Sequence, residues 1–229
     1  MNKAPIVEVI STIQCEGRTI GKPSIFVRFW GCNLRCRFAG IECDTPYAVY
    51  KEKDNAPLKD VDEIVKDILK FKTKHIVFTG GEPMLYQKII CDIMSQLPYE
   101  YTCEVETNGT IELDYATSKI VDQFNMSIKL KGSNQMLGYD DKRFNPTAII
   151  SYPTEKSYFK FVYTCVADFE EIKEIENIFP GYEIWLMPEG MSRKAIIEHS
   201  DNVVKICIEH SWHFSPREHI VIWDYKRGV

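Results

Sequence analysis

Ser24-Ile25-Phe26-Val27-Arg28-Phe29-Trp30 runs straight into Gly31-Cys32-Asn33-Leu34-Arg35-Cys36, and Cys43-Asp44-Thr45 follows after a short gap. The stretch 24–30 is β-branched or aromatic apart from Ser24 and Arg28, with no alternation between apolar and polar positions. Such a segment reads as a strand apolar on both faces, the pattern of a covered parallel sheet. The thiols then fall on the loop at that strand's C-terminal end, the edge where parallel α/β sheets and barrels bind their ligands.

Similar runs recur at 6–13, 75–79, 101–107, 126–130, 158–166, 183–187 and 219–223. Between them lie segments of helical period. Val61, Ile64, Val65, Ile68 and Leu69 repeat at i, i+3, i+4, i+7 and i+8, and Asp60 with Glu63 resembles a helix-opening capping box. Further helices are expected at 85–97, 169–178 and 193–210. Strands alternating with helices give an α/β fold of right-handed βαβ units. The polar stretch 51–59 and the Gly- and Pro-containing stretch 131–157 read as loops, the second long enough to be mobile.

The 229 residues carry 28 Lys and Arg against 33 Asp and Glu, without a basic block. Nucleic acid is therefore not an expected partner. No apolar stretch approaches the ~18 residues of a membrane span. Glu8 interrupts the apolar run near the start, so a signal peptide and a membrane partner are not expected either, and a cytoplasmic protein is. In that reducing setting the 8 cysteines read as thiols rather than a disulfide framework.

Cys32, Cys36 and Cys43 cluster, whereas the others lie mostly in apolar segments where cysteine behaves as a small hydrophobe. Two chemistries suit the cluster. A [4Fe–4S] centre takes four thiolates, so three would leave one iron open; a structural zinc ion takes four ligands, with His75 as a distant fourth. Thr79-Gly80-Gly81-Glu82-Pro83 is either a plain strand-to-helix turn or one where backbone approaches a ligand closely. Glu106-Thr107-Asn108-Gly109-Thr110 suits a ribose or a capped turn. Lys129 in an apolar run needs a partner or a function. Arg28 needs a carboxylate: either a structural one, Glu16 or Glu82, or that of a substrate, which the guanidinium fork reads with two parallel bonds.

Taken in order, Gly31 to Cys36, Cys43-Asp44-Thr45 and Gly80-Gly81-Glu82-Pro83 resemble the radical S-adenosylmethionine (AdoMet) superfamily and, within it, the 7-carboxy-7-deazaguanine synthase family. The opening Thr12-Ile13-Gln14-Cys15-Glu16-Gly17, Gly21-Lys22-Pro23, Ser127-Ile128-Lys129-Leu130, Leu186-Met187-Pro188-Glu189-Gly190 and the ending Lys226-Arg227-Gly228-Val229 extend the likeness along the chain. Two departures stand out. Cys15 occupies a position usually held by glycine, and six residues, not two, separate Cys36 from Cys43, with Gly40 suited to turning the longer loop.

The resemblance implies one domain over 1–229, a modified and incomplete (β/α) barrel with its cluster loop at 31–45. It implies a lyase that contracts the ring of 6-carboxy-5,6,7,8-tetrahydropterin to 7-carboxy-7-deazaguanine with loss of ammonia, on a route to queuosine-type deazapurines. Cys32, Cys36 and Cys43 would hold the [4Fe–4S] cluster, and Thr45 would help hold Mg²⁺. AdoMet would lie against Glu42, Cys43, Asp44, Gly81, Glu82, Glu106, Ser127, Ile128, Lys129, Met187, Pro188 and Glu189. The pterin would meet Ile13, Gln14, Cys15, Glu16, Arg28, Thr79, His219 and Val229. A homodimer and an electron donor such as flavodoxin or ferredoxin are implied, while Trp185, Trp212 and Trp223 read as core or interface residues. A glycyl-radical-enzyme activase of the same superfamily and a zinc-stabilised binding module are the alternatives.

Overall fold

The computed structural model describes residues 3–38, 41–50, 56–131, 142–224, 226 and 228, the side chains of residues 38, 41 and 42 excepted. Two strands open the chain, β1 (Lys3–Ile13) and β2 (Pro23–Phe29), and two very short ones follow, β3 (Arg37–Phe38) and β4 (Ile41–Glu42). Next come α1 (Pro46–Val49), β5 (Leu58–Asp60), α2 (Val61–Ile68), β6 (His75–Gly80), α3 (Gln87–Gln96), β7 (Thr102–Thr107), α4 (Tyr115–Ile120) and β8 (Gln123–Met126). The chain ends with α5 (Pro146–Ile150), β9 (Ser157–Tyr163), α6 (Val166–Ile178), β10 (Glu183–Pro188), α7 (Arg193–His210), β11 (His213–Phe214) and α8 (Glu218–Trp223).

Among the described residues, nine strands form one sheet in the order β11-β10-β9-β8-β7-β6-β2-β1-β5. From β2 to β11 every pairing is parallel, while β1 runs antiparallel to β2 and β5 antiparallel to β1. The parallel run with its crossover helices is the incomplete (β/α) barrel expected. Its strands are buried on both faces, Ile25, Val27, Phe29, Ile76, Val77 and Phe78 among them, as their unbroken apolar runs require. The capping box forms as read: the Glu63 amide donates to Asp60 at 3.0 Å and the Asp60 amide to Glu63 at 2.8 Å.

Three expectations fail. The run at 219–223 is helix α8, not a strand; a short apolar run fits either state, and only Ile220 there is buried. The strand expected at 126–130 lies earlier, as β8, because the polar Asn125 masked a buried strand position, and Ile128 and Leu130 are buried in the following loop instead. The expected loops contain an edge strand, β5, and a helix, α5, while residues 51–55 and 132–141 lie outside the described residues. No described helix is long and apolar enough to cross a membrane.

At the N-terminal end of β6, His75 is buried and its Nδ1 shares a 2.8 Å hydrogen bond with the Ser24 hydroxyl. Burial lowers its pKa to about 4 from an ordinary 6.5, with help from Lys22, and Glu104 stands 4.0 Å from Nε2. The unfolded chain therefore takes up a proton on His75 before the folded chain does. Stability falls as pH drops through this window, with a full loss of about 3 kcal/mol. His75→Asn, whose amide can keep the Ser24 bond, removes that component. Between pH 7 and pH 4 the unsubstituted protein is expected to lose unfolding free energy relative to the variant in denaturant titrations; a constant gap contradicts the assignment.

Candidate active site at the C-terminal edge of the sheet

Beyond β2 the chain turns at Gly31, whose φ of +100° lies in the left-handed region. The Gly31 amide donates to Ala48 O and its carbonyl accepts from the Glu82 amide, both at 2.8 Å. The cluster loop is thereby pinned between α1 and the turn after β6. Leu34 and Cys36 are buried and form a small nucleus against which Cys32 and Cys43 pack. The six residues between Cys36 and Cys43 do not drive the thiols apart. β3 and β4 pair antiparallel with Arg37 opposite Glu42, and the Cys43 amide donates to Cys36 O at 3.2 Å. The inserted residues thus continue a ladder that sets the two cysteines side by side; Gly40 lies outside the described residues.

Burial pushes the Cys32 thiol up to about 12 and the Cys43 thiol to about 11, and each is raised further by its neighbours' negative charge. A thiophilic cationic group would displace the protons of such thiols, and the three clustered cysteines fit an iron–sulfur cluster. They do not fit a mononuclear zinc site. His75 lies at the other end of β6, committed to Ser24, and among the described residues no three ligating side chains converge on one ion.

Glu82 is fully buried and lines no part of the cavity described below. Its carboxylate accepts from the Thr107 hydroxyl (2.7 Å), the Asn108 amide (2.7 Å) and the Met84 amide (3.0 Å). Burial raises its pKa and these donors oppose the rise. The Asn108 side chain continues the chain of bonds, donating to Asn33 at 2.9 Å with Cys32 Sγ at 3.8 Å. Glu82 is therefore a brace rather than the AdoMet ligand expected.

These elements surround a cavity of about 310 Å³ over the C-terminal ends of β2 and β6 to β10. All three cluster cysteines line it, as do Asp44, Thr45 and Gly81. Ser127, Lys129 and Met187 form the wall expected to meet AdoMet. Ile13, Gln14, Cys15, Glu16, Arg28 and Thr79 form the expected pterin side, joined by His219.

Glu106 also lines the cavity, but it faces residues expected around the pterin rather than AdoMet, accepting from Thr79 (2.7 Å) and Gln14 (3.2 Å). Ile128 is buried beneath Gly109, Pro188 is buried, and Glu189 faces His199, so none of these three lines the cavity. The Glu42 side chain and Val229 lie outside the described residues.

Arg28 has a structural partner that differs from both candidates. Its Nε pairs with Glu8 at 2.7 Å, because β1 and β2 place Glu8 directly across from Arg28. The guanidinium still lines the cavity. Gln14 is buried and committed to the protein: its Nε2 donates to Glu104 at 2.6 Å and its Oε1 accepts the Cys15 and Glu16 amides. It shapes the opening from behind. Glu16 pairs with Lys160 at 2.5 Å, and this neighbour, with Arg217 and His219, holds its carboxyl well below the usual range despite burial. Burial lowers the pKa of His219, which stands 3.8 Å from Glu16.

The sequence reading missed Lys160, Arg217, Tyr47 and Trp223 as lining residues. Lys160 carries the same signal that drew attention to Arg28, a cation inside an apolar strand run. Trp223 reaches the cavity only because α8 is a helix, and Arg217 sits in a short loop with no distinguishing pattern.

A family model described as the Radical SAM superfamily matches residues 28–134, from Arg28 through the cluster loop. A 7-carboxy-7-deazaguanine synthase of Halobacterium salinarum is 31% identical over 96% of this chain and 90% of its own length. The chain belongs to the 7-carboxy-7-deazaguanine synthase family. A second family member, from Clostridium acetobutylicum, is 32% identical over 98% of both chains. The crystal structure of QueE from Escherichia coli shares the fold, with a TM-score of 0.70 over 93% of each chain at 23% identity.

The glycine pair of this family member is a matter of space. A Cβ on Gly81 would stand 2.0 Å from Gly31 O and 3.0 Å from Ala48 O, both backbone atoms that side-chain motion cannot relieve. Gly81→Ala is expected to push the turn off the cluster loop and weaken AdoMet binding at least about tenfold, or 1.4 kcal/mol, in calorimetry on the reconstituted protein. Unchanged affinity would show that the close contact is dispensable.

Proposed function

We propose that this chain contracts 6-carboxy-5,6,7,8-tetrahydropterin to 7-carboxy-7-deazaguanine with loss of ammonia, as the family name implies. The observation that carries the reading is the presence of three clustered thiols and a partly buried arginine, Arg28, on the walls of one cavity. A [4Fe–4S] cluster on Cys32, Cys36 and Cys43, with AdoMet beside Gly81, Ser127 and Lys129, supplies the radical chemistry when bound.

The protein's part is orientation. Arg28, with one edge fixed by Glu8, reads the substrate carboxylate. Glu16, kept ionised by Lys160 and Arg217, accepts hydrogen bonds from the N–H donors of the pterin ring. Gln14, braced on Glu104 and Glu106, holds the backbone of residues 14–16 in place for this. Fixing the ring against two opposed charges selects which C–H bond faces the radical source. Thr45, whose hydroxyl lies 3.4 Å from Cys43 Sγ on the cavity wall, would offer an oxygen to Mg²⁺, a hard cation suited to such a donor. A flavodoxin or ferredoxin as reductant, a homodimer and a cytoplasmic setting complete the proposal.

Anaerobic turnover of the reconstituted protein with AdoMet, Mg²⁺, a reductant and the pterin tests it, with products followed by mass spectrometry. 7-Carboxy-7-deazaguanine should appear without stoichiometric consumption of AdoMet. AdoMet cleavage without the deazapurine would point to another substrate. Neither, from protein with an intact cluster, would favour a protein-dependent activase. Arg28→Lys keeps the charge but loses the fork, so KM for the pterin should rise about tenfold or more with AdoMet affinity unchanged. An unaltered KM would remove Arg28 from the substrate site.

A further inference from the structure

Arg217 precedes α8 and is 5% exposed, yet it touches three separate parts of the cavity wall. Its Nη2 donates to Asp44 Oδ2 at 2.8 Å, next to Cys43 on the cluster loop. Its Nη1 donates to Gly190 O at 2.9 Å, just beyond β10, where Met187 lines the cavity. Its Nε faces Glu16 Oε1 at 3.5 Å on the pterin opening and has no hydrogen bond. The neighbouring Glu218 amide donates to Cys15 O at 3.2 Å, anchoring the same opening. Three acceptors on three elements match a planar fork with five donors, and an ammonium on a flexible stem cannot span them.

We infer that Arg217 is a positioning residue that locks the cluster loop and the substrate opening into one rigid unit, so that substrate seated at Glu16 lies in a fixed register with the thiol loop. The ion pair of its Nε with Glu16, at 3.5 Å, is the arm that reaches the opening. This rests on the function proposed above for the same site. Removing Arg217 need not unfold the chain, since Glu16 keeps Lys160 at 2.5 Å and the Asp44 side chain is 44% exposed.

The test compares Arg217→Met, Arg217→Lys, Asp44→Asn and the Arg217→Met/Asp44→Asn double variant in the full-length reconstituted protein. Amide hydrogen exchange over residues 14–17 and 43–49 is read first, because it is independent of which substrate is correct. Arg217→Met should speed exchange in both segments, and Asp44→Asn in 43–49 alone. In turnover, Arg217→Met should lower kcat/KM for the pterin by about 10²-fold and raise the 5′-deoxyadenosine released per product. Lysine should restore little of it, and the double variant should be no worse than Arg217→Met. Unchanged exchange in both segments, or strictly additive losses in the double variant, overturns the inference. Should Arg217→Met not fold, exchange over 43–49 in Asp44→Asn decides alone. If no deazaguanine forms even in the unsubstituted protein, the proposed function fails while the exchange result still judges the coupling.

Discussion

A single buried carboxylate holds the active-site edge together. Glu82 has no contact with solvent and accepts three hydrogen bonds, two of them from the end of β7 and one from its own turn. Burying a carboxyl group is costly unless it is hydrogen-bonded, and here three donors, with the charge of Lys129, offset that cost. The arrangement fixes the Gly80-Gly81 turn against Thr107 and Asn108, and through Asn108 reaches Asn33 beside Cys32. Gly31 closes the circuit by accepting the Glu82 amide. Loops at a sheet edge are ordinarily the least ordered part of an α/β fold; in this protein three of them share one buried anchor.

The unusual spacing of the cysteines is absorbed locally. Because β3 and β4 pair, the extra residues project as a short antiparallel ladder and Cys43 returns beside Cys36. From the cluster loop across to the substrate opening, the charges of Asp44, Arg217, Glu16, Lys160 and His219 form one continuous network, with Glu8 and Arg28 paired on β1 and β2. A cavity that sets this charged network among apolar walls suits a compact, hydrogen-bonding substrate.

Much of this was legible in the sequence, for identifiable reasons. Strands buried on both faces announce themselves as unbroken apolar runs, so β2, β6, β7, β9 and β10 were placed within a few residues. The capping box at Asp60 and the long period of α7 are local signals that local structure obeys. What failed depended on contacts distant in sequence. The carboxylate facing Arg28 is set by the register of β1 on β2, which no motif encodes. Glu82 and Glu106 were both expected against AdoMet, yet one is walled in by β7 and the other turns toward Gln14 and Thr79. Arg217 carries no local mark because its role arises only where three segments meet.

A crystal structure of the reconstituted protein with AdoMet and 6-carboxytetrahydropterin, grown without oxygen, is the most direct test of a single cavity braced from behind by Glu82. The pterin carboxylate is predicted on Arg28 and the pterin ring against Glu16, with AdoMet against Gly81 and Ser127 and Glu82 still buried beyond reach of any ligand atom. A ligand atom bonded to Glu82, or a pterin seated away from Arg28, would contradict it.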